Sequence, residues 1–135
     1  MGLDTFAIVG RDTLYDAVEK NENGNMVIKT KLFKDVEGLC GGMLSGNGNG
    51  GSFRGKVYDS FVQSVTGESL YQDDIDPDTC KMMSNKLVEY AENMEKEGTD
   101  KAKSEYGETD RSEVDALAEF FNVCAENGYH VTGWW

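Results

Sequence analysis

No run of apolar residues in this sequence approaches the roughly 20 that a membrane-spanning helix needs. No basic segment leads into an apolar one, so a secretory leader is not expected. Bases are scarce: 13 Lys and Arg stand against 25 Asp and Glu, a formal charge of −12. That balance argues against direct nucleic-acid binding, which depends on Lys and Arg facing phosphates. The cysteines are three, Cys40, Cys80 and Cys124, odd in number and about 40 residues apart. Such a set is not a disulfide framework. Without a CxxC pair, neither a zinc ribbon nor a thioredoxin-like redox motif is supported. Cys80 and Cys124 fall on the apolar side of predicted helices, where a free thiol packs as a small hydrophobe. A reducing, cytoplasmic compartment follows.

What is present is a chain of 135 residues, with 39% hydrophobic residues and six Phe, six Tyr and two Trp to anchor a core. That length suits one domain, 1–135, and not two. The run 5–9, Thr-Phe-Ala-Ile-Val, ends at Gly10 and reads as a strand. Residues 11–20 fit a short helix capped by Asp12, with Leu14, Tyr15 and Val18 on one side, or no helix at all. The Asn/Gly stretch 21–25 is a turn by composition, and the partial alternation over 26–33 predicts a second strand. Residues 41–52 then hold six Gly, two Asn and two Ser, a segment that is costly in entropy to order. Beyond it Val57, Phe61, Val62 and Val65 recur at helical spacing, with Ser52 a plausible N-cap and Gly67 a plausible stop.

Two further helices carry clearer signals. Asp76-Pro77-Asp78 places a cap, a first-turn proline and a dipole-complementing acid in order. Cys80, Met83, Leu87, Tyr90, Ala91 and Met94 then form one apolar face. Residues 95–108 are charged, contain two glycines, and read as an exposed connection. Asp110 and Glu113 have the spacing of a capping box. Val114, Leu117, Ala118, Phe121 and Cys124 make the stripe behind it, and Asn127-Gly128 stops the helix. The aromatic and β-branched stretch 129–135 suits a closing strand. Two tryptophans exposed at its end would form a costly apolar patch. At least one of Trp134 and Trp135 is therefore expected in the core; if neither is buried, the segment is a binding handle. The predicted class is α+β, a small mixed or antiparallel sheet with about three helices packed on one face.

The Gly-rich segment is the most unusual chemical feature. A glycine loop running into a helix can aim backbone N–H groups at an anion. Residues 26–58 are locally +3, through Lys29, Lys31, Lys34, Arg54 and Lys56 against Asp35 and Glu37. Residues 50–56 even match GxxxxGK, but Val57 stands where that motif needs Ser or Thr for magnesium, and no strand leads directly into the loop. A nucleotide triphosphatase is rejected on those grounds. A simpler anion site at Ser45, Ser52, Arg54 and Lys56 is the candidate, set against a tight turn that only lets backbones pass closely.

Other motifs fail on spacing. Asp74, Asp76 and Asp78 imitate the first half of a calcium loop, but Thr79 and Asn85 occupy the positions of its required Gly and Glu. His130, the only histidine, could join the three cysteines in a zinc site, although structural sites usually supply ligands in close pairs. No metal, cofactor or catalytic residue is expected. Residues 73–115 hold 14 acids and six bases. This is a solvated face by default, or an acidic surface that steers a basic partner in the manner of a DNA mimic.

Three stretches together resemble a family of small uncharacterised bacterial and phage proteins. They are the start Met1-Gly2-Leu3-Asp4, the core from Leu44-Ser45-Gly46 through Gly51-Ser52-Phe53-Arg54-Gly55-Lys56-Val57-Tyr58, and the ending from Phe120-Phe121 through Gly128-Tyr129 to Gly133-Trp134-Trp135. Ser69-Leu70-Tyr71 after Thr66-Gly67 fits the same pattern. The resemblance implies a complete, single, cytoplasmic domain and assigns no activity and no site. The function expected is a non-enzymatic binding or interaction protein, with a protein partner or an anion at the Gly-rich loop. The alternatives are a small enzyme using that loop as a phosphate or oxyanion cradle, and an acidic partner-binding protein.

Overall fold

The computed structural model describes residues 3–8, 18–20, 22–23, 26–28, 33, 35–41, 51–104 and 107–135. Strand β1 (Asp4–Ile8) is the centre of a three-stranded antiparallel sheet, between β4 (Ser52–Phe53) and β7 (His130–Trp134). Thr5 lies opposite both Phe53 and Gly133, and Phe6 opposite both Ser52 and Thr132. Period-2 alternation therefore sorts the sheet. Ala7, Phe53 and Val131 face the main core, while Phe6 and Ile8 are buried on the other side. Two antiparallel pairs complete the strands: β2 (Val18–Lys20) with β3 (Met26–Ile28), and β5 (Lys101–Ser104) with β6 (Gly107–Asp110). The class is α+β, and every described strand pairing is antiparallel. No helix among the described residues is long and apolar enough to cross a membrane.

Helices α1 (Gly55–Thr66), α2 (Pro77–Glu97) and α3 (Arg111–Glu126) start and stop on local chemistry. Asp76 accepts from the N–H of Thr79 at 2.7 Å, with Pro77 in the first turn. Glu113 reaches back to the Asp110 N–H at 3.1 Å in a capping box. Gly67 and Gly98 end α1 and α2 at φ of 82° and 68°, a region that favours glycine. The expected cap at Ser52 is corrected. Ser52 is in β4, and Arg54 caps α1 with no side-chain bond.

The core is a layer of aromatics between the sheet and an antiparallel helix pair. Cys80, Met83, Leu87, Ala91 and Met94 of α2 are buried, as their spacing predicts, and Tyr90 packs partly against them. Helix α3 is buried over a wider arc, adding Ala116, Phe120 and Val123 to its predicted stripe. It is covered twice. Phe120 meets Phe53 edge-on at 4.9 Å and Phe33 at 5.2 Å, while on the α2 side Ser84 Oγ donates to the Ala118 carbonyl at 2.8 Å. Burying each such apolar side chain contributes about 1.5–3 kcal/mol.

Two expectations fail at the strands. Residues 95–108 are not a plain connection. Helix α2 runs to Glu97, and the β5–β6 hairpin follows with Ala102 and Thr109 buried. The strands read Lys-Ala-Lys-Ser and Gly-Glu-Thr-Asp, so no apolar alternation shows in the sequence. Val18–Lys20, left open by the sequence, is strand; the second strand is described over Met26–Ile28, and Phe33, its expected end, lies in a turn. Residues 9–17 lie outside the described residues.

One buried phenol joins three segments. Tyr58 of α1 donates its hydroxyl hydrogen to Glu113 Oε2 of α3, and the same oxygen accepts the Cys40 N–H at 2.8 Å. Burial raises the Tyr58 pKa, and the Glu113 carboxylate raises it further by accepting the proton's hydrogen bond. The folded chain thus holds this proton more tightly than the unfolded chain, whose tyrosines ionise near about pH 10. The stabilisation is complete below that pH and is lost as pH rises through the higher folded value. Tyr58→Phe leaves a backbone donor and a carboxylate without their partner, and is expected to cost about 1–3 kcal/mol at neutral pH. Urea unfolding across pH will check both points: the variant should also lose less stability than the native protein above about pH 10.

Candidate interaction site

The start of α1 is where the sequence places an anion. Ser45 lies outside the described residues. Ser52 is fully buried in β4, and the Arg54 and Lys56 residues are half-buried. Two backbone donors there are already given to the chain: Arg54 N–H to the Cys40 carbonyl at 2.7 Å, and Lys56 N–H to the Leu3 carbonyl at 3.2 Å. Gly55 sits so close to β1 that a Cβ would fall 2.1 Å from Thr5 Oγ1 and 3.0 Å from a Leu3 methyl. The glycine thus lets α1 pass against the sheet. Thr5 Oγ1 is the one buried side-chain oxygen with no hydrogen-bond partner among the described residues.

The single histidine is committed elsewhere. His130 Nδ1 donates to Asp74 Oδ1 at 2.6 Å, at the edge of the sheet opposite β4. Asp76 is held below the usual carboxylate range, chiefly by the Thr79 N–H. The acids of the calcium-like run are therefore turned to different local tasks. The cysteines also separate: Cys40 is exposed, while Cys80 and Cys124 are buried between α2 and α3. Burial, together with the neighbouring Cys80, pushes the Cys124 thiol up. Among the described residues no three His, Cys, Asp or Glu side chains form a metal-holding group. On α3, Asp115 and Glu119 share a shallow cavity of about 440 Å³ with Asp35 and Glu37. Burial raises the Glu119 pKa, helped by Glu126 and Asp35.

Among the described residues, three of the four exposed large hydrophobics, Tyr71, Trp134 and Trp135, lie at the end of β7 or beside it. Neither tryptophan is in the core, which corrects the expectation that one would be: Trp134 is 36% and Trp135 55% exposed. The strand itself is docked. Its backbone pairs with β1 throughout, and on its other edge Val131 exchanges hydrogen bonds with Ile75. Gly133 N–H donates to the Gln72 carbonyl at 2.8 Å. Alternation is what exposes Trp134. Val131 points into the core and Trp134 to the other face, where its ring meets Phe6 at 4.9 Å.

Tyr71 joins this pair by tertiary structure alone. Asp59 of α1 accepts the Leu70 N–H at 2.6 Å and the Ser69 hydroxyl at 3.0 Å, and Ser69 Oγ in turn accepts the Tyr71 N–H. That buttress sets Tyr71, 40% exposed, edge-on against Trp135 at 5.6 Å. Trp134 and Trp135 line a shallow recess of about 270 Å³ with Gly133 and exposed Asp73. The sequence signal was an aromatic residue set in the polar run 71–74, but only the fold brings it to the tryptophans. No protein-family model matches the chain, and no curated protein or solved structure matches it.

Two substitutions test this packing. A Cβ on Gly133 would lie 2.5 Å from the Leu70 carbonyl and 2.8 Å from a Leu3 methyl, so Gly133→Ala is expected to destabilise by about 1–3 kcal/mol. Thr5→Val keeps the shape and removes the unpaired hydroxyl, and should stabilise by about 1–3 kcal/mol. Chemical denaturation of both variants gives the two signs directly.

Proposed function

We propose that this protein is a non-enzymatic interaction module that engages a protein partner through the corner formed by Tyr71, Trp134 and Trp135. The observation that carries this is the exposure of three large aromatics on a docked, hydrogen-bonded backbone, with Trp134 and Trp135 consecutive in the chain and Tyr71 edge-on against Trp135. Aromatic residues held rigid at a surface are the usual anchors of protein interfaces. The charge of −12 supports the same reading, since a strongly charged surface speeds encounter with an oppositely charged partner.

The enzyme alternative needs a titratable group converging on the Gly-rich loop. His130 is engaged with Asp74 across the sheet, so this reading draws no support from it. The anion-site reading of Ser45, Ser52, Arg54 and Lys56 is weakened by the carbonyls that take the Arg54 and Lys56 N–H groups.

Both tryptophans of the sequence are in the corner, so intrinsic tryptophan fluorescence reports on it alone. Peptides selected from a random library should perturb that fluorescence and lose binding to Trp135→Ala. Selected peptides that bind Trp135→Ala unchanged would overturn the proposal. So would a rise in unfolding midpoint with inorganic phosphate that Arg54→Ala abolishes, because the site would then lie at α1.

A further inference from the structure

Resting on that reading, we infer that the occupant of the aromatic corner is an arginine side chain presented by a basic segment of the partner protein. Charge complementarity within one recess singles out this occupant. The recess is lined by Trp134, Trp135, Gly133 and the exposed Asp73, so two indoles and one acidic residue share it. A guanidinium is the side chain that satisfies both, because it stacks flat on an indole while its N–H fork bonds a carboxylate. Asp73 makes no hydrogen bond or ion pair with other described residues. Asp74 is held by His130, and Asp76 caps α2. Among the aspartates of 73–76, Asp73 is thus the one left to meet a ligand.

The surroundings carry the same sign. Residues 68–78 include Glu68, Asp73, Asp74, Asp76 and Asp78 and no Lys or Arg. A cation approaching this loop meets an acidic field before it reaches the rings. The recess is also held in place. Tyr71 braces Trp135 edge-on, Phe6 braces Trp134, and the loop is tied to α1 through Asp59 and to β7 through Gln72. Little ordering is left to do on binding, which favours affinity. Lysine would gain the charge but lose the planar stack and the forked bond. An anionic or neutral partner would leave Asp73 desolvated and unpaired.

The test uses the full chain and three matched peptides. Each is a short Gly/Ser sequence carrying several arginines, or lysines, or glutamines at the same positions. Binding is read by tryptophan fluorescence and calorimetry, with unfolding midpoints to show that each variant is folded. The arginine peptide should bind saturably. The lysine peptide should bind roughly threefold to tenfold more weakly, and the glutamine peptide not at all. Asp73→Asn should weaken the arginine peptide by roughly threefold to tenfold, and Trp135→Ala by at least that much. Raising salt should weaken it further.

Other outcomes overturn the inference in distinguishable ways. If the glutamine peptide binds as well as the arginine peptide and Trp135→Ala abolishes both, the corner is an interaction site but not for a cation. If the arginine peptide binds Trp135→Ala and Asp73→Asn as tightly as the native chain, it is attracted by net charge alone. If the arginine peptide does not bind, the inference falls, and the library peptides still decide whether the corner is an interface.

Discussion

The hydroxyl of Tyr58 is the point on which the described fold turns. It gives its hydrogen to Glu113 and accepts the Cys40 N–H. Glu113 uses its other oxygen to cap α3, and the Cys40 carbonyl takes the Arg54 N–H at the start of α1. Three pieces of chain thereby meet at one hydrogen-bonded network: the segment 36–41, the start of α1 from its cap Arg54 to Tyr58, and the first turn of α3. A buried network of this kind is favourable only when each member is satisfied. Here each named donor has its acceptor, and on the inner side Phe53 packs edge-on against the Tyr58 ring and against Phe120.

The aromatic corner depends on this frame at one remove. Helix α1, fixed at its start by Tyr58 and Gly55, carries Asp59, which fixes Ser69 and Leu70 and so aims Tyr71. The next residues lie along β7, where Gly133 is needed because the backbone of Leu70 passes too near for a side chain. Two close approaches, Gly55 on Thr5 and Gly133 on Leu70, clamp the same end of the sheet. The exposed tryptophans are thus the outer surface of a tightly joined region and not a loose end.

Much of this was legible in the chain. The helix signals at Asp76-Pro77, Asp110-Glu113, Gly67 and Asn127-Gly128 act over a few residues, and each holds. The apolar faces of α2 and α3 follow from period alone. The β5–β6 hairpin was hidden because its strands are charged and polar in sequence, with Ala102 their one apolar side chain. Ser52 and Phe53 were hidden because two residues carry no periodicity. Cys80 and Cys124 pack as the small hydrophobes that their spacing implies, while Cys40 is exposed and its backbone N–H bonds Tyr58.

The sequence by itself determined the α+β class, the three helices and their inward faces, and the acidic balance, because those depend on local capping chemistry, periodicity and composition. Only the tertiary structure decided which residues meet. Tyr71 and Trp135 are separated in the chain by the whole of α2, the β5–β6 hairpin, α3 and β7, and no local signal relates them. Whether a tryptophan at the end of β7 is core or surface is a question of register. Pairing Asp4 with Trp134 and Ala7 with Val131 turns Val131 into the core and leaves Trp134 on the other face. A shift of one residue would exchange those faces. That register is set by long-range hydrogen bonds to β1 and to Ile75, which the order of residues along the chain does not contain.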